Sequence, residues 1–223
     1  MNKKWPLDKI ENLIVRNSNY GLLVVLLTEI LVIPILENPL RNNLMDLGII
    51  LIILLSLGAV SKSSTRRGMI QLALLAVASW FGSILDIPLL KALAYFVVVL
   101  FMLRTIVIFI KNLASKSAIS VTIMIEAING YLLLGLGFSL IVSIISLFDQ
   151  QAFTFSATLL NDGIINSNYF TFVTLATLGY GDLLPATPYA KSIAIFIALC
   201  GQIYQVTIMA FIMGKLVNNW QNK

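Results

Sequence analysis

Six long apolar segments, separated by short polar connections, are the feature that most constrains how this chain can fold. Hydrophobic residues make up 59% of its 223 residues and charged residues only 11%, whereas about a quarter of a soluble domain is charged. Because backbone inside a bilayer must satisfy its own hydrogen bonds, such segments predict membrane-spanning helices. The sequence therefore predicts an all-α, multi-pass membrane protein with six transmembrane helices. The segments lie at about residues 20–36, 44–60, 68–86, 89–110, 124–148 and 190–217.

Basic residues are distributed unevenly over the connections between these segments. If the N-terminus is cytoplasmic, 11 Lys and Arg residues fall on the inner side and 3 on the outer side. Cytoplasmic loops of membrane proteins carry the excess of basic residues, so we expect both termini in the cytoplasm and the protein in the plasma membrane. Because the basic residues form no patch, the net charge of +5 indicates topology and not nucleic-acid binding.

The chain divides into three parts. Residues 1–19 are polar and charged with apolar residues at helical spacing, which predicts a short helix on the cytoplasmic membrane surface. Residues 20–110 contain the first four predicted spans. Residues 111–223 contain a linker and the last two spans, and the 30-odd residues before the sixth span re-enter the membrane without crossing it. Such non-helical backbone survives at membrane depth only where it is buried in protein or lines a watery path.

The re-entrant segment contains the string Thr-Leu-Gly-Tyr-Gly-Asp at residues 177–182. Two glycines that bracket a tyrosine allow an extended strand whose carbonyls point to one side, because glycine adopts backbone angles that other residues avoid. Such a row of oxygens can replace the hydration shell of a small cation. We expect the Tyr180 ring to pack away from the ions and the Thr177 hydroxyl to add an inner oxygen. The expected ion-binding residues are Thr177, Leu178, Gly179, Tyr180 and Gly181.

Residue by residue, this string resembles the filter signature of the potassium-channel superfamily, with Leu178 where Val or Ile is commoner. Tyr169 to Ala176 is similar to the family's pore helix, and Asp182 to Pro185 to its outer mouth. The resemblance spans about Glu126 to Asn218. It implies K⁺ as the ion at the filter and a homotetramer in the lipid bilayer, because one chain supplies one of four filter strands. The pore helix, expected at about residues 168–177, would point its negative end at a central cavity.

The resemblance also implies roles outside the filter. Gly201 falls where the family places an inner-helix hinge, although a glycine there equally allows close helix packing. Asp182 is expected either to add to a ring of carboxylates at the outer mouth or to hold the filter by a hydrogen bond to the pore helix. A cavity-facing stripe at helical spacing is predicted for Ile203, Thr207, Ala210 and Gly214.

Four spans before a pore unit resemble the plan of voltage-gated channels, but the fourth span has Arg104 as its only deep basic residue. One such charge cannot give steep voltage dependence, so we expect a sensor-like domain that does not sense voltage. Glu29 lies about 13 Å and Arg104 about 10 Å from the cytoplasmic ends of their spans. We expect these two residues to pair, either as a structural salt bridge or as a weak gating or proton-linked pair.

These observations favour a potassium-selective channel that conducts passively through a central pore and depends weakly or not at all on voltage. Two alternatives remain, the membrane subunit of a potassium transporter and a non-conducting membrane sensor. An enzyme is not expected, because no set of nucleophile, base and oxyanion donor can be named. With no histidine and a single cysteine, Cys200, we expect no structural metal, no cofactor and no intrachain disulfide.

Overall fold

A computed structural model describes residues 5–37, 40–60, 63–83, 87–115, 120–155 and 163–221 of the chain. In these residues, seven α-helices and one pair of short strands follow one another along the chain. The helices are α1 (Trp5–Leu27), α2 (Leu40–Ala59), α3 (Ser63–Ser83), α4 (Pro88–Ser115), α5 (Val121–Phe148), α6 (Gly163–Leu175) and α7 (Pro188–Gln221), and the strands are β1 (Phe153–Phe155) and β2 (Leu183–Pro185).

Four helical stretches of the described chain are long and apolar enough to cross a membrane, which supports an all-α integral membrane protein. The second and third predicted spans correspond to α2 and α3, whose apolar parts are shorter and cover Asn43–Ala59 and Arg67–Ala78. The structure therefore supports four of the six predicted spans by length and composition. These four are Leu13–Ile35, Pro88–Ser115, Val121–Phe148 and Pro188–Lys215.

The first helix differs from the expectation of a separate surface helix at residues 1–19. From Trp5 to Leu27, α1 is continuous, so the amphipathic segment and the first span form one helix. The chain then widens into a π-helical turn at Thr28–Val32 and tightens into a 3₁₀ turn at Ile33–Ile35. Pro34 lacks the N–H that would continue the α-helical pattern, which explains why regular helix stops here.

The fifth helix, α5, is the centre of the structure and packs against α1, α4, α6 and α7. Two of its glycines allow close approach of large side chains from its neighbours. A Cβ at Gly130 would collide with the hydroxyl of Tyr204 on α7, and a Cβ at Gly135 would collide with the ring of Phe172 on α6. The pore region is thus held against α5 by contacts that larger residues would prevent.

The connection between α4 and α5 is short. Residues 111–115, which the sequence places in a linker, are the last turn of α4, and α5 begins at Val121. Ser120 caps α5, because its hydroxyl accepts a hydrogen bond from the Ile123 N–H across 3.4 Å. With so short a connection, α4 packs along α5 of its own chain.

Candidate functional site

The re-entrant segment begins with α6, a helix that is longer at its N-terminal end than the sequence indicates. It starts at Gly163 and ends at Leu175, whereas the sequence predicts a pore helix at residues 168–177. Asn166, Ser167 and Asn168 are buried, so they belong to the packed part of the helix. At the other end, Thr177 has a φ of 59°, which is incompatible with right-handed helix and ends α6 earlier.

The backbone of the filter is anchored to α6 by its own N–H groups. Thr177 donates to the Thr174 carbonyl (3.0 Å), Leu178 to the Val173 carbonyl (2.9 Å) and Gly179 to the same Val173 carbonyl (3.4 Å). In a trans peptide group the C=O points opposite to the N–H. The carbonyls of Ala176, Thr177 and Leu178 therefore point away from α6.

Positive φ angles recur at every second residue of the filter. They are 59° at Thr177, 57° at Gly179 and 82° at Gly181. Alternation of left-handed and right-handed residues turns successive peptide groups to the same side, whereas ordinary extended backbone alternates them. The two glycines supply this geometry at little steric cost, while Thr177 is held in a conformation that side chains with a branched Cβ rarely adopt.

The filter is not covered by its own chain. All five of its residues are exposed, with Leu178 at 57% and Tyr180 at 68% of their full surface. Tyr180 lines a pocket between α6 and β2. Apolar side chains exposed to this extent are available for contact with another molecule.

Asp182 holds the outer end of the filter to α6. The Tyr169 hydroxyl donates a hydrogen bond to Asp182 Oδ2 across 2.5 Å. Of the two roles expected for Asp182, the structure shows the hydrogen bond to the pore helix. The bond to the carboxylate favours the protonated phenol and, with some burial and the nearby charge of Asp182, raises the pKa of Tyr169 to about 12.

A small antiparallel sheet supports the same end of the filter and was not predicted from the sequence. Phe153 pairs with Pro185, and Phe155 with Leu183. The sheet continues through a hydrogen bond from the Ala186 N–H to the Ala152 carbonyl (2.8 Å). The alternation Phe-Thr-Phe is the one signal for β1, since aromatic and β-branched residues favour strands, but three residues are too few for a reliable prediction.

The last carbonyl of α6 is a junction of three helices. The Leu175 carbonyl accepts a hydrogen bond from the Tyr131 hydroxyl of α5 (3.4 Å), and Gln205 of α7 donates to that hydroxyl (3.0 Å). A Cβ at Gly201 would lie 2.6 Å from the Leu175 oxygen. Through Gly201, α7 runs unbroken, and the glycine allows this close approach of α7 to the end of α6.

The predicted cavity-facing stripe lies apart from Gly201. Ile203, Ala210 and Gly214 are exposed and Thr207 is half-buried, whereas Gly201 is buried against α6. The structure therefore places the stripe on a surface of α7 that the chain leaves largely open. The face of α7 that packs on its own chain consists of Ala190, Ile197, Gly201 and Tyr204.

Glu29 and Arg104 are not brought together. The carboxyl group of Glu29 is buried against Gly48 of α2. Arg104 is exposed, and its guanidinium lies against Gly68 of α3. The expected pair is absent because α1 packs on α2 while α4 packs on α3 and α5.

Residues 131–218, from within α5 to near the end of α7, match a family model whose description is "Ion channel". The matched residues contain α6, the filter and the junction at Leu175. The fold and this match together support an integral membrane protein of the ion-channel class. The comparisons with curated proteins and with solved structures found no match.

Proposed function

We propose that this protein is a potassium-selective channel that conducts passively. The observation that carries the proposal is the filter backbone, whose N–H groups donate to α6 so that the carbonyls of Thr177 and Leu178 point the opposite way. Left-handed residues at alternate positions extend this arrangement towards Gly181. A row of carbonyls turned to one side replaces the water shell of a dehydrated K⁺ ion.

A homotetramer follows from the number of filter strands. One strand supplies oxygens on one side of an ion only, so the remaining sides need further copies around a closed axis. The helix that would face this axis is α7. It is the least buried of the candidate spans, with 17% of its most apolar stretch buried. Its large exposed apolar residues are Tyr189, Ile195, Phe196, Leu199, Ile203, Val206, Met209, Met213 and Val217.

Within this tetramer, K⁺ binds to the carbonyls of the filter and to the hydroxyl of Thr177 at the inner end. The C-terminal end of α6 carries the negative end of the helix dipole, which favours a cation below the filter. Tyr180, exposed in the single chain, packs against a neighbouring copy and keeps the filter at a fixed width. Asp182 accepts a hydrogen bond from Tyr169, so its main role is to stabilise the filter and not to attract cations at the outer mouth.

The first four helices form a domain that contributes little voltage dependence. Lys91 and Lys111 lie near the ends of α4, and Arg104 is the only basic residue between them. One elementary charge that crosses the membrane contributes about 2.3 kcal/mol per 100 mV. Both termini lie in the cytoplasm of this plasma-membrane channel, because the inner loops carry the basic residues.

Reconstitution of the purified protein into liposomes tests this function. We expect currents in K⁺ whose reversal potential shifts strongly when Na⁺ replaces K⁺ on one side, and a tetramer by size-exclusion chromatography with light scattering. Gly181→Ala serves as the non-conducting control. Equal permeability to K⁺ and Na⁺ would contradict the selectivity, and a protein without ion flux would favour a non-conducting sensor.

A further inference from the structure

A buried polar cluster lies where α1, α4 and α5 meet, away from the filter. Asn19 and Asn129 are 0% exposed and Glu126 is 1% exposed, while Asn112 is half-buried. Polar side chains in such positions are costly unless they are hydrogen-bonded. Their arrangement thus indicates a specific role in joining the three helices.

Glu126 is the shared acceptor of this cluster. Asn112 Nδ2 of α4 donates to Glu126 Oε2 (3.2 Å), and Asn19 Nδ2 of α1 lies 3.5 Å from Glu126 Oε1. Asn129, one turn further along α5, donates to the backbone carbonyl of Asn19 (2.9 Å). Each carboxyl oxygen of Glu126 thus binds a different helix of the first domain.

The cluster allows one register of these helices and opposes others. Apolar surfaces slide past one another at modest cost, whereas a shift that breaks a buried hydrogen bond leaves an unpaired polar group. The Oδ1 atoms of Asn19 and Asn129 are buried and have no hydrogen-bond partner among the described residues. In the observed register these two acceptors therefore stay unpaired within the described residues. A rearrangement that gave them donors would offset part of the free energy lost when the other hydrogen bonds break.

The same two segments that form the cluster also hold the inner helix. The Tyr204 hydroxyl of α7 donates to the carbonyl of Ala127, the residue after Glu126 (2.7 Å). Lys215 of α7 donates to the carbonyl of Leu113, the residue after Asn112. A displacement of α4 relative to α5 at this level therefore changes the positions of both groups that bind α7.

We propose that Glu126 is a positioning residue for gating, which fixes α1 and α4 against α5 and thereby sets the position of the inner helix α7. This inference rests on the proposed channel function and assigns a role to the first four helices that does not need a voltage sensor. The coupling acts within one subunit, because α4 and α5 of the same chain carry Asn112 and Glu126.

A double-mutant cycle on Asn112 and Glu126 tests the proposal by single-channel recording from reconstituted protein. Glu126→Gln places an amide donor against the donors of Asn19 and Asn112, and Asn112→Ala removes one of these donors. We expect each change to alter the ratio of open to closed time about tenfold, as the loss of a buried hydrogen bond to a carboxyl group allows. The double variant should differ little from Glu126→Gln alone, and K⁺ over Na⁺ selectivity should stay unchanged.

Thr105→Val is the matched control. Thr105 is also a buried polar residue of α4, but its hydroxyl donates within the helix, to the Phe101 carbonyl (3.0 Å). We expect its open probability to equal that of the wild type. If Glu126→Gln does not assemble, Asn112→Ala and Asn112→Asp replace it, with a larger effect for Asp because it brings a second carboxyl group towards Glu126.

Two results would overturn the coupling. Open probabilities that match the wild type in the Asn112 and Glu126 variants would show that the cluster does not influence the pore, and fold-changes that multiply in the double variant would show that the residues act separately. Absence of current in the wild type would instead contradict the channel function. In that case the same cycle measured by thermal unfolding still reports whether the two side chains interact.

Discussion

The hydroxyl of Tyr169 donates a hydrogen bond to Asp182 Oδ2 across 2.5 Å and so connects the middle of the pore helix to the first residue after the filter. The 12 residues between these partners contain the whole ion-binding strand. The contact closes the segment into a loop, which restricts the backbone angles available to the filter between its ends. Two consequences of this contact can be measured directly.

Tyr169 should lose its proton at a pH about two units higher than an ordinary tyrosine does. Because the Asp182 carboxylate favours the protonated phenol, the pKa rises from 10.0 to about 12. The stabilisation is fully present below pH 10 and is lost as the pH rises through about 12. The difference in ultraviolet absorbance between the wild type and Tyr169→Phe isolates this tyrosine. In Asp182→Asn the midpoint should move back towards 10, and a wild-type midpoint near 10 would show that the bond is not formed.

Loss of the same hydrogen bond should destabilise the conducting filter. In Tyr169→Phe the ring remains and the donor is lost, so we expect currents that decay faster under sustained activation, with the tetramer intact. Tyr189→Phe is a suitable control because its hydroxyl donates to Asp149, away from the filter. Decay rates that are the same in the wild type and Tyr169→Phe would argue against this role for Asp182.

Alanine at either filter glycine should abolish conduction without preventing assembly. No atom of the described residues lies within 4 Å of a new Cβ at Gly179 or Gly181, so the cost within the chain is conformational, about 1–2 kcal/mol for each left-handed residue. Potassium flux into liposomes measures the loss. Gly137→Ala on α5 is the matched control, since its Cβ would make an ordinary contact with Met102 at 3.9 Å. Normal flux through either filter variant would contradict the backbone geometry described here.

Gly201→Ala should disturb the pore helix more than it changes the flexibility of α7. The new Cβ would lie 2.6 Å from the Leu175 carbonyl oxygen, and overpacking of this kind costs about 1–3 kcal/mol. We expect a lower thermal stability of the tetramer and altered selectivity. Gly214→Ala, whose Cβ would have no atom of the described residues within 4 Å, should keep both properties. If Gly201→Ala changed open probability alone, with stability and selectivity preserved, the glycine would act as a hinge.

Neutralisation of Glu29 and Arg104 should have independent effects. Glu29 lies against Gly48 of α2 and Arg104 against Gly68 of α3, and residues without shared contacts usually add within about 0.5 kcal/mol. Thermal unfolding of Glu29→Gln, Arg104→Gln and the double variant measures the sum. Recovery of stability in the double variant would instead show that Glu29 and Arg104 form the salt bridge predicted from the sequence.

The dependence of open probability on voltage should be shallow. Four Arg104 residues in a tetramer that all cross the membrane supply only about 9 kcal/mol per 100 mV. Conductance measured over a range of voltages should therefore change gradually in the wild type, and Arg104→Gln should leave the slope nearly unchanged. A steep relation that flattens in Arg104→Gln would identify α4 as a voltage sensor.

Several features of the site could be predicted from the sequence because they depend on local chemistry. The two glycines around Tyr180 permit left-handed angles wherever that string occurs, and the structure has positive φ at both of them. The long apolar runs predict helices because a bilayer offers the backbone no other hydrogen-bond partners. Helix formation by the segments of α4, α5 and α7 is determined in this way, before any contact between them is known.

Other features depend on which helices become neighbours, and periodicity does not determine this. The sequence predicts similar distances of Glu29 and Arg104 from the cytoplasmic ends of their spans. Their side chains nevertheless face different helices, because α1 packs on α2 while α4 packs on α3. The close approach of Gly201 to the Leu175 carbonyl likewise depends on the packing of α7 against α6. Glu126 is the single charged residue of α5, and its role as a shared acceptor depends on Asn19, 107 positions earlier in the chain. Apolar helices can pack in several registers at similar cost, so only the complete set of side-chain contacts selects one.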